Sequence, residues 1–147
     1  MANISEVKLE SNKKVYLEAF EEVVDKILTM IGMEAETAAK MLAPVDTGLL
    51  RNSITWAIGG QAANINSYKA STSKSGKKST GEYSGTAEND KDGEHSVHIG
   101  TNVEYAMVQE TGTFKDGPHA FLRPAINDNI DHFRDIVEGE LKACDPE

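Results

Sequence analysis

The chain has one cysteine, Cys144, and no apolar run that approaches the ~20 residues of a membrane-spanning helix. A lone cysteine cannot form an internal disulfide, so cross-links do not hold this fold together. Residues 1–6 lack the basic region and apolar stretch of a secretory signal. These absences predict a soluble chain that is synthesised in the cytoplasm and has no membrane partner.

Aromatic and apolar residues are also scarce, at 6% and 39% of the 147 residues. A chain of this length fits one domain, residues 1–147, with a modest core. A core this lean often finishes burying its apolar surface against copies of the same chain. The composition therefore favours self-association.

Positive charge is in short supply, since the formal net charge is -9. Proteins that bind duplex DNA on their own gain most of their affinity by neutralising phosphates with a basic face. The charge balance argues against that role. It is compatible with a wall past which DNA slides, because such a wall should repel phosphate.

The first half of the chain carries a helical pattern. Apolar residues recur at three- and four-residue steps over 12–42, which predicts a long amphipathic helix. Gly32 lies within this pattern, and we expect a bend or break there because glycine weakens a helix. Pro44 should end the helix, since it lacks an N–H and disfavours helical geometry before it.

A small sheet with a long insertion should follow. Asp46 is the expected N-cap of a short helical turn through Arg51. Residues 53–58 alternate and predict a half-buried strand with Ile54, Trp56 and Ile58 on one face. Residues of about 61–95 are polar and predict a long, flexible hairpin insertion.

The last third of the chain predicts a second strand and more helix. Residues 96–100 alternate, 105–110 suit a helical turn ended by Gly112, and Pro124 suits the first turn of a closing helix. That helix should be one amphipathic segment reaching Leu141. The elements together predict an α+β fold: a long N-terminal helix, a small antiparallel β-sheet with a hairpin insertion, and a C-terminal helix.

Three segments, 44–53, 100–113 and 121–125, are rich in residues that fix backbone direction. Taken in this order, they resemble the tail-component (neck) family of long-tailed bacteriophages, which is typified by gene product ten of a lambda-like phage and is related to lambda's minor tail protein Z. The resemblance covers residues 15–142 and implies an α+β fold. It gives its motif residues a structural role, that of setting the angles between helices and sheet. These residues are Pro44, Asp46, Thr47, Gly48, Leu50, Arg51, Ser53, Gly100, Tyr105, Ala106, Glu110, Gly112, Phe121, Leu122, Arg123 and Pro124. We also expect Arg51 or Arg123 to form a buried, bidentate pair with Glu110.

Candidate chemistry is weak elsewhere. The acidic run 88–93 resembles the start of an EF-hand loop, but its twelfth position is Ile99 rather than a glutamate. The four histidines show no metal-ligand spacing, and no serine lies in a nucleophile motif. We therefore expect no enzyme activity, cofactor or metal. A basic group in the insertion could contact DNA phosphate, contact a neighbouring subunit or simply remain solvated, and solvation is favoured. This group is Lys69, Lys74, Lys77 and Lys78.

The resemblance implies a structural protein of the phage head–tail junction, located in the virion. Its copies would form a closed homo-oligomeric ring, a hexamer or else a dodecamer, between the head-completion or portal-side proteins and the tail tube or tail terminator. Genomic DNA would pass through without sequence-specific binding. Two alternatives stay open: a small dimeric adaptor or regulatory module that binds a protein through its long helix, and a hydrolase with a carboxylate site.

Overall fold

The computed structural model describes residues 4–45, 48–59, 66–68, 71–72, 79–80, 83–85, 95–101 and 103–144. Five helices and six short strands lie in these ranges. The helices are α1 (Ile4–Leu42), α2 (Leu49–Ser53), α3 (Ala106–Thr111), α4 (Leu122–Asn127) and α5 (Ile130–Ala143). The strands are β1 (Thr55–Ile58), β2 (Asn66–Tyr68), β3 (Ser71–Thr72), β4 (Ser79–Thr80), β5 (Tyr83–Gly85) and β6 (Val97–Gly100). The predicted α+β class is confirmed.

The strands pair in three antiparallel ladders. β1 pairs with β6, with Trp56 opposite Ile99 and Ile58 opposite Val97. β2 pairs with β5, and β3 with β4, so the insertion returns on itself as nested hairpin strands. The four lysines at 69, 74, 77 and 78 and the acidic run 88–93 lie outside the described residues. The interpretations placed on them stay predictions.

The two-stranded ladder of β1 and β6 lies against α1 and is more buried than its alternating pattern predicted. Thr55 and Ala57 lie on the face of β1 opposite Trp56, and they are only 4% and 6% exposed. Because Trp56 on the other face is half-buried, both faces of β1 are covered. The expectation of a half-buried strand is therefore wrong. Alternation indicated which side chains share a face, but small residues such as alanine and threonine also fit against a second layer.

α1 is one unbroken helix, which corrects the bend expected at Gly32. The helix needs a glycine here for packing, because a Cβ at this position would lie 2.6 Å from the ring of Trp56. The local cost of glycine, about 1 kcal/mol, is offset by the close approach of α1 to β1. The sequence indicated that Gly32 weakens the helix, but it did not reveal the contact with Trp56 that this glycine allows.

Gly32→Ala is therefore expected to lower the free energy of unfolding by about 1–3 kcal/mol through overpacking against Trp56. The matched control is Gly139→Ala in α5, where a Cβ would meet nothing within 4 Å. That variant should gain up to about 1 kcal/mol from helix propensity alone. Urea unfolding of both variants checks the pair. Equal stabilisation by both would show that Trp56 does not pack on Gly32.

The predicted single closing helix is two helices, α4 and α5. The break falls at Asp128 and Asn129, and the Asn129 side-chain amide donates to the carbonyl oxygen of Ala125 at 2.9 Å. Asparagine side chains compete with the backbone for such hydrogen bonds, which favours the end of a helix. Apolar residues keep their helical spacing across this break, so the sequence pattern did not reveal it.

α5 runs antiparallel along the middle of α1. Lys26 Nζ lies 2.7 Å from Glu140 Oε2, and His132 Nε2 lies 3.9 Å from Glu34 Oε2. The hydrogen bond and charge of Glu140 raise the pKa of Lys26 above its usual value. Because α5 ends at Ala143, one turn past Glu140, the N-terminal turns of α1 extend beyond it.

The densest part of the core lies near the C-terminal end of α1. Small residues at and just after the C-terminal end of α1 allow α2 and α4 to approach closely, and Phe121 belongs to the same buried cluster. The fully or nearly buried members of this cluster are Ala39, Ala43, Leu50, Ile54, Ala106, Phe121 and Ala125.

Candidate functional site

The three motif segments meet in this core cluster. Leu50 comes from the first segment, Ala106 from the second, and Phe121 and Ala125 from the third. Segments that lie far apart in sequence thus share one packed centre. The structural role expected of the motif residues stays a prediction, and this shared centre is the feature from which the site is built.

A pair of hydroxyl groups joins the first segment to the second. Ser53, only 2% exposed, donates from Oγ to the carbonyl oxygen of Leu50 at 2.8 Å. Its Oγ also lies 2.5 Å from Oγ1 of Thr101, which accepts from the N–H of Val103 at 3.2 Å. Each hydroxyl is therefore satisfied inside the protein, as buried polar groups require. Ser53 was among the predicted residues, and its partner Thr101 was not.

Glu110 joins the second segment to the third. Its carboxylate accepts backbone N–H groups from Phe121 at 2.8 Å, Leu122 at 3.0 Å and Arg123 at 2.9 Å. A helix leaves its first N–H groups without internal partners, and Pro124, the next residue, has none to offer. One side chain thus caps the whole first turn of α4 from a distance in sequence. We call this arrangement the Glu110 clamp.

The expected arginine pair is only partly present. Arg123 Nε lies 3.7 Å from Glu110 Oε1, and the Arg123 side chain is 69% exposed. The pair is therefore neither buried nor bidentate, and an exposed ion pair of this length contributes little. Arg51 is exposed on α2 and is not among the described contacts of Glu110. Backbone N–H groups take the place that we predicted for a guanidinium.

The clamp changes the acidity of Glu110. Burial acts most strongly and would raise the pKa of this carboxyl, whose side chain is 11% exposed. The three backbone hydrogen bonds, together with the charge of Arg123, more than offset burial and hold the pKa below its usual value of 4.5. Glu110 is therefore ionised at neutral pH and stabilises the start of α4 as a full negative charge.

Residues 112–120 form a fixed loop between the two ends of the clamp, which we call the Phe114 loop. Gly112 adopts φ 80°, and a Cβ there would lie 2.7 Å from the backbone nitrogen of Pro118. The N–H of His119 donates to the carbonyl oxygen of Gln109 at 2.8 Å, which closes the base of the loop. Gly112 ends α3, as the sequence predicted, and only glycine fits its positive φ.

The tip of this loop presents an apolar ring to solvent. Thr113 accepts the N–H groups of Lys115 and Asp116 with its Oγ1, which holds the tip in a tight turn. Phe114 is 105% exposed, so its ring packs on no other residue in the part of the chain that the structure describes. Phe114 was not among the predicted residues, because exposure cannot be inferred from a lone phenylalanine in the sequence.

The remaining motif residues take simpler positions. Gly48 has φ 87° and precedes α2, Gly100 ends β6, and Pro44 follows α1 on the surface. Tyr105 is 41% exposed at the start of α3. Asp46 and Thr47 lie outside the described residues, so the cap expected of Asp46 stays a prediction.

Within the described residues, no group of three or more histidine, cysteine or acidic side chains is placed to hold a metal ion. Among the helices of those same ranges, none has both the length and the apolar character needed to cross a membrane.

The fold is therefore that of an α+β protein in which motif residues lie at helix ends and hold an exposed loop in place. Residues 8–112, more than two thirds of the chain, match the family model described as "Bacteriophage HK97-gp10, putative tail-component". The chain belongs to this family of phage tail components. No curated protein and no solved structure matches the chain. The clamp partner Phe121 lies just beyond the matched residues.

Proposed function

We propose that this protein is a non-catalytic component of the phage head–tail junction, where identical copies form a closed ring that joins the tail tube to the head. The family supports a part of the virion tail. The observation that carries the ring is the presence of two different exposed apolar surfaces among the described residues, Phe114 on its fixed loop and the stretch of α1 that holds Tyr16, Leu17 and Phe20. Contacts between unlike surfaces are heterologous, and they close into a ring when the rotation permits.

In this proposal the mechanism is geometric. The ring has six copies, matching a sixfold tail tube, with twelve as the alternative. One face meets the head-completion or portal-side proteins, and the other meets the tube or its terminator. The net charge of -9 suits a channel wall past which DNA moves, since it disfavours tight phosphate contacts.

Disruption of the gene in its phage tests the proposal. We expect filled heads and separate tails that fail to join, or tails with an abnormal head-proximal end, and complementation by the intact gene should restore joining. Normal infectious particles made without the gene would contradict the proposal. Electron microscopy of the lysate distinguishes these outcomes directly.

The exposed stretch of α1 keeps one other candidate open, a dimeric adaptor that binds a protein through this helix. A dimer would use like surfaces on both copies, whereas a ring uses unlike ones. Native mass spectrometry separates the two. A stable dimer with no higher species, from a gene whose loss leaves tails intact, would favour the adaptor.

A further inference from the structure

α3 and the Phe114 loop, residues 106–120, are attached to the rest of the protein at few points, and we call them together the α3 unit. Ala106 is the only buried residue of α3, whereas Met107 and Val108 are 75% and 44% exposed. Within the described ranges, β1, β6, α2, α4 and α5 pack on α1, but α3 does not pack extensively on any helix or strand. Because the buried side chain of α3 is a single methyl group, burial of apolar surface does little to hold this helix in place.

The hydrogen bonds of the Phe114 loop connect it to α3. The N–H of Gly112 donates to the carbonyl oxygen of Val108, and the N–H of His119 donates to that of Gln109, both at 2.8 Å. Among the hydrogen bonds of the described residues, none joins this loop to α1, α2 or the ladder of β1 and β6. The loop and α3 are therefore expected to move as one body.

Glu110 links the α3 unit to α4. Its carboxylate accepts the N–H groups of Phe121, Leu122 and Arg123 at 2.8, 3.0 and 2.9 Å. α4 in turn packs on α1, and Phe121 and Ala125 are both 0% exposed in the core cluster. Hydrogen bonds to a charged acceptor are roughly twice as strong as neutral ones. The position of the α3 unit on the rest of the protein therefore depends mainly on one carboxylate.

We propose that Glu110 is a latch for the α3 unit. While its three hydrogen bonds are formed, the unit is held against α4. When they break, the unit swings outward as one body, and α1, α4, α5 and the ladder of β1 and β6 stay folded. The hinges are the short segments at the two ends of the unit, residues 103–105 and 120. Regions with little buried apolar surface open at a lower free energy than the core, which favours this local opening over global unfolding.

The latch controls how the protein presents Phe114. With the latch closed, this fully exposed ring has one position and one direction. With the latch open, the ring takes many orientations, and any contact made through it has to order the unit first. Closure therefore favours binding through the loop, whatever the partner. The inference concerns the isolated subunit and does not depend on the proposed ring.

Native-state amide hydrogen exchange of the full chain, followed by NMR, tests the latch with two variants. Glu110→Gln weakens the latch, so the amides of Phe121 and Leu122 should exchange roughly tenfold faster or more. Gly32→Ala strains a contact of α1 and should accelerate only amides that exchange through global unfolding, such as that of buried Ala35. The amides of Phe121 and Leu122 should be unchanged in Gly32→Ala. If that variant accelerates all three amides equally, the clamp opens only with the whole molecule, and the proposal is wrong.

Two buried alanines of the same core cluster test whether the whole unit moves. Ala106 of α3 is 6% exposed and Ala39 of α1 is 0% exposed. Each is replaced by cysteine in a Cys144→Ser background, and a thiol reagent labels the folded chain. The thiol at 106 should react roughly tenfold faster or more than the thiol at 39, and Glu110→Gln should increase its rate further. Equal rates at the two positions would overturn the proposal, because α3 would then open only on global unfolding. Neither experiment involves assembly, so failure of the proposed ring leaves the latch untouched.

Discussion

Phe121→Ala should lower the free energy of unfolding by about 3–5 kcal/mol, the largest single effect expected in this protein. Phe121 is 0% exposed and packs among alanines of α1, α3 and α4. Truncation would leave a cavity that these small neighbours cannot fill, since they have no long side chains to move into it. Urea unfolding followed by circular dichroism measures the loss.

Phe114→Ala is the matched control for this variant. Phe114 lies at the tip of the loop that Phe121 directly follows, yet Phe114 is 105% exposed. Removing an exposed ring should change stability by no more than about 0.5 kcal/mol. A large loss in this control, or a small loss in Phe121→Ala, would show that the core does not have the packing described.

Glu110→Gln should lower the free energy of unfolding by about 2–3 kcal/mol, because hydrogen bonds to a charged group are stronger than neutral ones. The amide keeps the shape of the side chain, but its NH2 group would face a backbone N–H at the start of α4. Glu104→Gln, an exposed carboxyl of the same segment, should change stability by no more than about 0.5 kcal/mol.

The pH dependence of this loss identifies its cause. The folded protein holds the pKa of Glu110 below the usual 4.5, so the ionised form favours folding. The stabilisation is fully present above pH 4.5 and is lost as the pH falls from there through the lower pKa of the folded state. The difference between wild type and Glu110→Gln should shrink over that range. A difference that stays constant with pH would contradict the clamp.

The long-range pattern of the fold could be predicted from the sequence because it depends on periodicity. The 3.6-residue repeat gave α1, and period-two alternation located β1 and β6. The errors arose where one neighbour decides the outcome. Trp56 determines the role of Gly32, and Asn129 divides a continuous apolar pattern into α4 and α5. Neither contact produces a periodic pattern in the sequence.

The residues of the site could be named from the sequence, but the hydrogen bonds that they form could not. Glu110, Gly112 and Phe121 all stood in the motif segments, and a charged partner for Glu110 was a reasonable expectation. The carboxylate instead binds backbone N–H groups, which every sequence offers equally. Phe114 was missed because an exposed ring and a buried ring look alike in sequence.

Cryo-electron microscopy of intact virions tests the central claim most directly, namely that copies of this chain form a ring at the junction of head and tail. The proposal predicts density for six copies around the channel at the head-proximal end of the tail, with unlike surfaces of neighbouring copies in contact. Twelve copies in the same place would fit the alternative ring. Virions with no density for this chain at that position would contradict the account.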